Sequence, residues 1–506
     1  MNAEPPADVG TLPPAGVRVE LLPARRASGA VLAVFALRLL GAALGMVVLA
    51  LLTRQLGPDR FGELSLIFTV AIVASRVSEL GTTHVVAAEM AARPERRRDL
   101  AAGLAVVRFA AGGAVALAGA ALLTVLLDRA AAERAALAVM ATVPLAGVTG
   151  LAVLASARLR PQVDAALSLG QSALWLACVV AAVAGDWPFA AYGLAFLVCG
   201  LAQAVATWGV VVRNEPPAWP RWRPAASRVL ARSWPMAVAM VLATLSARLD
   251  GMLLFELRGP AEAGFFWAGY RFLDVFQLFP LALLAVLVPL LARRWELGDR
   301  AGVGEVFRLG STVAAVLGCA VACAAVVAGR PLAEALFGSG FTTTGDVLVL
   351  LGLAAPALAT GYVASAALVA VGHLRTVGLV ALGALLVTLA ADLLLIPRWG
   401  AAGAAWAAVG VECLTSAALV LSLEHRAQVR FPWSRLLRAL AAAAFVVAVG
   451  WVVRSLPLAV LVAVSTAGYA LVAGALGAVT GAELRALADR SLALGAAPAP
   501  ALPGRQ

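Results

Sequence analysis

The sequence predicts an all-α polytopic membrane protein of about 14 transmembrane helices, arranged as two six-helix lobes in parallel repeat plus a terminal helix pair. Three observations predict this class. The chain is 62% hydrophobic and only 13% charged, with a mean hydropathy of +0.93. Apolar runs of about 20 residues recur along its length, each long enough to cross roughly 30 Å of hydrocarbon. Short Gly/Pro turns separate these runs, and three of the turns recur in the same order in the two halves.

The expected spans are 29–52, 63–83, 101–127, 135–156, 165–185, 189–212, 234–255, 263–291, 306–328, 345–370, 374–396, 400–421, 437–454 and 457–479. Residues 1–28 are Pro-rich and polar and read as a disordered cytoplasmic tail. Residues 29–212 form the first lobe and 234–421 the second. Between them, 213–233 is an Arg/Trp-rich linker expected along the inner interface, with Trp219 and Trp222 at headgroup depth. Residues 422–480 hold the last two spans, and 481–506 form a second cytoplasmic tail. The first apolar run is too long for a signal-peptide core and is read as an uncleaved span.

Arginine sets the orientation. The chain has no lysine, so all 39 basic residues are Arg, and such usage points to a GC-rich bacterial genome. Arginine concentrates in loops after even-numbered spans, such as "RPERRRD", "RRWELGDR" and "EHRAQVRFPWSRLLR". Loops after odd-numbered spans are short and nearly neutral. Both termini are therefore expected in the cytoplasm, with the bacterial cytoplasmic membrane as location. The formal charge of +11 follows from these loops and is not a nucleic-acid signal. The five cysteines lie in apolar runs and form no CxxC, so neither a disulfide framework nor a metal site is implied. The three histidines are isolated, no catalytic residue is predicted, and a Walker A motif is impossible without lysine.

The repeat is carried by "GPDRFG" at 57–62 and "GPAEAG" at 259–264, by "RLR" at 158–160 and "HLR" at 373–375, and by "GDW" at 185–187 and "PRW" at 397–399. Six spans per lobe is an even number, so the lobes insert the same way round and a cleft forms between them.

Charges inside the spans mark the candidate site. A charge at mid-bilayer is costly and faces protein or a wet cavity. Arg38, Arg76, Arg108, Arg248 and Arg271 lie within apolar runs. Glu79 and Asp274 follow Arg76 and Arg271 by three residues and share their helix faces. Asp250 is two residues from Arg248, on the far side of a helix. Counted from the Gly/Pro turns at about 1.5 Å per residue, Arg271, Arg248, Arg76 and Arg38 fall about 10, 16, 21 and 28 Å deep. That is a four-rung ladder suited to a phosphate-bearing cargo, since guanidinium grips phosphate with a planar fork of donors. The alternatives are snorkelling by Arg38 and Arg108 towards the cytoplasm, and structural pairing of Arg76–Glu79 and Arg271–Asp274. Glu79, Asp250, Asp274 and Glu412 are candidates for supporting or coupling roles.

Several stretches resemble a known family. "LTRQLGPDRFGELSLIFTV" followed by "SELG", "ARLDGMLLFELRGPAEAGFFWAGYRF", "LFGSGFTTTGDVLVLLGLAAP" and "LIPRWGAAGAAWAA" are similar to the polysaccharide-biosynthesis membrane proteins, the O-antigen type of lipid-linked oligosaccharide flippase. That family belongs to the multidrug/oligosaccharidyl-lipid/polysaccharide exporter superfamily. The resemblance implies alternating access and a cargo of undecaprenyl-pyrophosphate-linked glycan, moved from the inner to the outer leaflet. By helix it implies pyrophosphate contacts from Arg38, Arg76, Arg248 and Arg271, and a lipid-tail groove formed with spans 13 and 14. No cofactor is expected, and coupling to a proton, sodium or the membrane potential stays open. Polymerase and glycosyltransferases of the same pathway are the expected partners. The rival functions are a cation antiporter of the same superfamily, which calls for acidic cavity residues, and a membrane-embedded glycan-modifying enzyme, which calls for larger outer loops.

Overall fold

The computed structural model describes residues 24–82, 86, 89–90, 94–152, 161–214, 216–452 and 456–478. The "RLR" turn, His84, most of both expected tails and the end of span 4 lie outside the described residues. Among the described residues the regular structure is all helical, with no strand.

The first helix, α1 (Ala24–Glu79), starts inside the segment expected to be disordered and carries spans 1 and 2 in one run. It reverses at Gly57, whose φ of 70° and ψ of 175° only glycine adopts cheaply, and Pro58 opens the second arm. Next come α2 (Arg97–Leu126), α3 (Ala130–Met140), the single turn α4 (Ala146–Thr149), α5 (Pro161–Ala184) and α6 (Phe189–Asn214). The second lobe follows with α7 (Trp222–Ser246), α8 (Leu249–Arg258), α9 (Pro260–Phe276), α10 (Leu278–Glu296), α11 (Arg300–Phe337) and α12 (Thr342–Ala370). It ends with α13 (Leu374–Ala427), which reverses at Gly400 with φ 57°. The terminal pair is α14 (Trp433–Val452) and α15 (Leu458–Ala475).

Among the described residues, ten helices are long and apolar enough to cross a membrane. Two of these, α1 and α13, hold a reversing glycine and so each take in two expected spans. The expected spans 135–156 and 234–255 fall on broken helices, so length and composition alone do not establish the count of fourteen. The linker is helical from Trp222 and runs straight into span 7. It lies against α2, where Gly103 meets the Ala225 and Ala226 backbone and Arg98 Nε donates to the Pro216 carbonyl at 2.9 Å.

The internal repeat is visible in backbone conformation. Gly259 has φ 91° and ψ 174°, nearly the values of Gly57, and Pro260 opens α9 as Pro58 opens the second arm of α1. The two turns interlock. A Cβ on Gly62 would sit 1.9 Å from the Pro260 carbonyl oxygen, and one on Gly264 would sit 2.5 Å from that of Pro58. Each turn also meets the corresponding later turn of its own lobe. Gln55 donates to Asp186 Oδ1 at 2.9 Å, and Arg258 donates to the Pro397 carbonyl at 3.4 Å. Two further contacts tie the lobes together at this end. Arg54 Nε donates to the Leu336 carbonyl at the C-terminus of α11 at 2.9 Å, and Phe61 and Phe265 both pack edge-on to Phe341. The lobes are thus closed against each other at the end bearing the GPxxxG turns.

Candidate functional site

The two helices that carry the second lobe's charges are both interrupted beside them. Span 7 breaks between Ser246 and Leu249, and Arg248 stands at the break with φ −125° and ψ −8° as the residue preceding α8. Span 8 breaks at Gln277. Pro280 lacks the N–H that would bond the Phe276 carbonyl, so the helix cannot run through unaltered. The Gln277 side chain at the break accepts from Tyr362 Oη at 3.1 Å.

Asp274 sits between the breaks and bridges two arginines. Arg248 Nη2 reaches Asp274 Oδ1 at 3.1 Å and Oδ2 at 3.3 Å. Arg271 Nη1 reaches Oδ2 at 3.4 Å. Arg248 also stacks over the Tyr270 ring, 5.4 Å from its centroid. On the other lobe, Gly41 and Gly45 of α1 leave room for side chains from across the cavity: Ser172 Oγ lies 3.8 Å from where a Gly41 Cβ would stand, and Arg271 Nη2 3.6 Å from where a Gly45 Cβ would stand. Arg38, Gly41, Ser168, Ser172, Arg271 and Asp274 all line one cavity of about 310 Å³ between α1, α5 and α9. The rings of Phe35 and Phe279, one from each lobe, pack at 5.9 Å between the same two lobes.

This geometry corrects the four-rung ladder. Helix α9 begins at Pro260 rather than Gly264, which puts Arg271 about 16 Å from the turn, level with Arg248. Arg38 and Arg271 reach into the same cavity rather than occupying opposite ends of a file. Arg76 is not among the cavity's lining residues; it pairs with Glu79 at 3.0 Å, as its spacing predicts.

The expected snorkelling of Arg108 is also corrected. Its side chain is buried, with Nε donating to Thr82 Oγ1 at 2.7 Å and Nη2 3.5 Å from Glu79 Oε1. Gly147 and Gly150 make the space: a Cβ at Gly150 would fall 1.7 Å from Arg108 Nη1. Glu79 therefore serves Arg76 and Arg108 together.

A second polar group lies deeper in the second lobe. Asp250 of α8 and Asp392 of α13 are buried as electrostatic neighbours. Asp250 Oδ1 and both Asp392 oxygens meet no hydrogen-bond donor. Glu412, on the second arm of α13, has Asp250 as its charged neighbour. In the sequence Asp392 stands out only as a polar residue within a span, because nothing local signals that α13 returns it to α8. Among the described residues no group of three or more His, Cys, Asp or Glu is placed to hold a metal ion, and all five cysteines are free.

Two lobes of broken and kinked helices meet around a charged cavity, and several solved structures share this fold. The lipid II flippase MurJ in an inward closed conformation superposes with a TM-score of 0.74 at 12% identity, covering 87% of this chain and 98% of that one. A mutant form of the Vibrio cholerae MATE transporter VcmN gives 0.61 at 18% identity over 80% and 98%. An inward-facing MATE transporter of the MOP superfamily gives 0.64 at 12% identity over 77% and 94%. A search of curated protein sequences gave no match. The chain belongs to the polysaccharide biosynthesis protein family, whose profile matches residues 30–295.

Proposed function

We propose that this protein is a flippase that moves an undecaprenyl-pyrophosphate-linked oligosaccharide from the inner to the outer leaflet by alternating access. One observation carries the reading: Arg38 of the first lobe and Arg271 of the second line a single cavity between the lobes. An anion held by both arginines bridges the two bodies that must rock, so its binding energy can bias their relative position. The cavity, about 310 Å³, has room for a diphosphate and not for a glycan of several sugars. Arg248 supports the site through Asp274, and Arg76 offers a further basic contact along span 2.

The bacterial cytoplasmic membrane, with both termini in the cytoplasm, is the location this reading requires. The interlocked GPxxxG turns then close the outer end. Polymerase and glycosyltransferases acting on the same lipid-linked glycan are the partners. An antiporter for cationic drugs is the second reading, favoured by the buried carboxyls of Asp250 and Asp392. Those carboxyls are set apart from the arginine-lined cavity and fit coupling better than cargo. Two neighbouring buried carboxylates without donors need a shared proton or a cation between them, so Asp250, Asp392 and Glu412 are the proposed coupling group.

The test is to delete the gene in a host without a redundant flippase and measure lipid-linked glycans by mass spectrometry. Accumulation of an undecaprenyl-pyrophosphate glycan, relieved by the wild type and not by a well-expressed Arg38→Ala/Arg271→Ala variant, supports the reading. Absence of accumulation sinks it and leaves the antiporter.

A further inference from the structure

Arg248 and Arg271 hold the same carboxylate unequally. Arg248 makes two contacts with Asp274, at 3.1 and 3.3 Å, its side chain is 20% exposed, and it is absent from the cavity lining. Arg271 makes one longer contact, at 3.4 Å, and is 47% exposed in a position that faces the cavity. A guanidinium has five N–H donors, so Arg271 keeps most of its own free for a ligand. Arg248, clamped to Asp274 and stacked on Tyr270 at the helix break, has its donors turned inward.

We infer that Asp274 is a built-in counter-anion that sets the charge of the cargo site, and that Arg248 is a positioning residue rather than a phosphate contact. Resting on the flippase reading, this assigns the phosphate contacts to Arg38 and Arg271 and the cargo class to a doubly charged diphosphate diester. The charges match: three guanidiniums and one carboxylate leave two positive charges, and a diphosphate joined to lipid and sugar carries two negative ones. Arg248 does its work by keeping Asp274 off its helix neighbour. Without Arg248, the Asp274 carboxylate, three residues from Arg271 on the same face, would close on Arg271 and occupy the place the phosphate takes.

The experiment uses the full chain in nanodiscs and isothermal calorimetry. The probe is farnesyl-diphospho-N-acetylglucosamine, and the comparison ligand is its monophosphate-linked analogue. The wild type is expected to bind the diphosphate at least tenfold more tightly than the monophosphate. Arg38→Ala and Arg271→Ala should each weaken diphosphate binding at least tenfold. Arg248→Ala should weaken it as much, and Arg248→Ala/Asp274→Asn should return it to within about threefold of wild type, a rescue that a purely structural role for Arg248 would not give. Asp274→Asn alone should tighten binding several-fold, which keeps the inference testable if Arg248→Ala does not fold. A double variant as weak as Arg248→Ala, or an Asp274→Asn variant that binds no tighter, would overturn the inference while leaving the flippase reading intact. A wild type that binds neither probe overturns both.

Discussion

The interlocked GPxxxG turns give a prediction whose size follows from the structure. In Gly62→Ala the new methyl would lie 1.9 Å from the Pro260 carbonyl oxygen and 2.6 Å from its carbon. An ordinary C···O contact is about 3.3 Å, so the two turns must part by about 1.4 Å at that point. Both colliding partners are backbone, so no rotamer change relieves the clash. Overpacking of this kind costs roughly 1–3 kcal/mol, and the penalty applies only while the lobes are closed at this end. An opening equilibrium should therefore shift about 5–150-fold towards the state with these turns apart. The assay is a pulsed electron–electron distance measurement between spin labels at positions 59 and 261, in a variant with the five native cysteines replaced. The wild type should give mainly a short distance, and Gly62→Ala a dominant longer one. Gly264→Ala, with its Cβ 2.5 Å from the Pro58 oxygen, should move the distribution the same way by less. Gly113→Ala, where a Cβ meets nothing within 4 Å, is the control. A Gly62→Ala distribution that superimposes on that of a wild type of equal thermal stability would show that these contacts do not hold the end shut.

Two further substitutions test the scaffold. Gly259→Ala adds a methyl that meets no atom within 4 Å, yet φ 91° with ψ 174° is glycine territory; about 1–3 kcal/mol of backbone strain should lower the melting temperature of the purified protein. Replacing Arg108 by Met removes the buried partner of Glu79 and Thr82. Glu79 keeps Arg76 as a partner, so the loss should be about 1–3 kcal/mol, read as a drop in melting temperature, and Gly150→Ala, which invades the same space, should act in the same direction.

The sequence carries the class of the fold because that needs only composition and period, and the repeat because Gly and Pro act through their own backbone. Gly57 and Gly259 share a conformation for reasons contained within each hexapeptide. The site is legible there as a set of residues and not as an arrangement. The Arg76–Glu79 and Arg271–Asp274 pairs can be read from spacing on one helix. The Arg248–Asp274 and Arg108–Glu79 pairs join different spans and have no local signature. The break before α8 contains neither Gly nor Pro, so nothing in its own residues marks it. The ladder of depths fails in part because a count from Gly264 leaves out the first turn of α9, since Pro260 is already helical, and in part because a count along one helix does not show that Arg38 and Arg271 meet in one cavity while Arg76 lies outside its lining.

The internal repeat also separates what the scaffold needs from what the site needs. Where the two lobes must close, the repeat is kept: Gly57 and Gly259 turn alike, and Gly62 and Gly264 exchange equivalent contacts. Where the charges sit, it is abandoned. Shifted by the distance from Gly259 to Gly57, Arg248 falls on Met46, Asp250 on Val48, Arg271 on Thr69 and Asp274 on Ile72. The first lobe answers with Arg38 and with the Arg76–Glu79–Arg108 group at positions of its own. A symmetric pair of sites would give a bound anion the same hold on each lobe and no polarity to the cycle. Here Asp274 and the neighbouring carboxyls of Asp250 and Asp392 lie in the second lobe alone, so any proton or cation taken up there alters the field on one side of the cleft only. On the proposed flippase reading, the second lobe is the one in which coupling and cargo binding would speak to each other, through α8, which carries Asp250 two residues beyond Arg248.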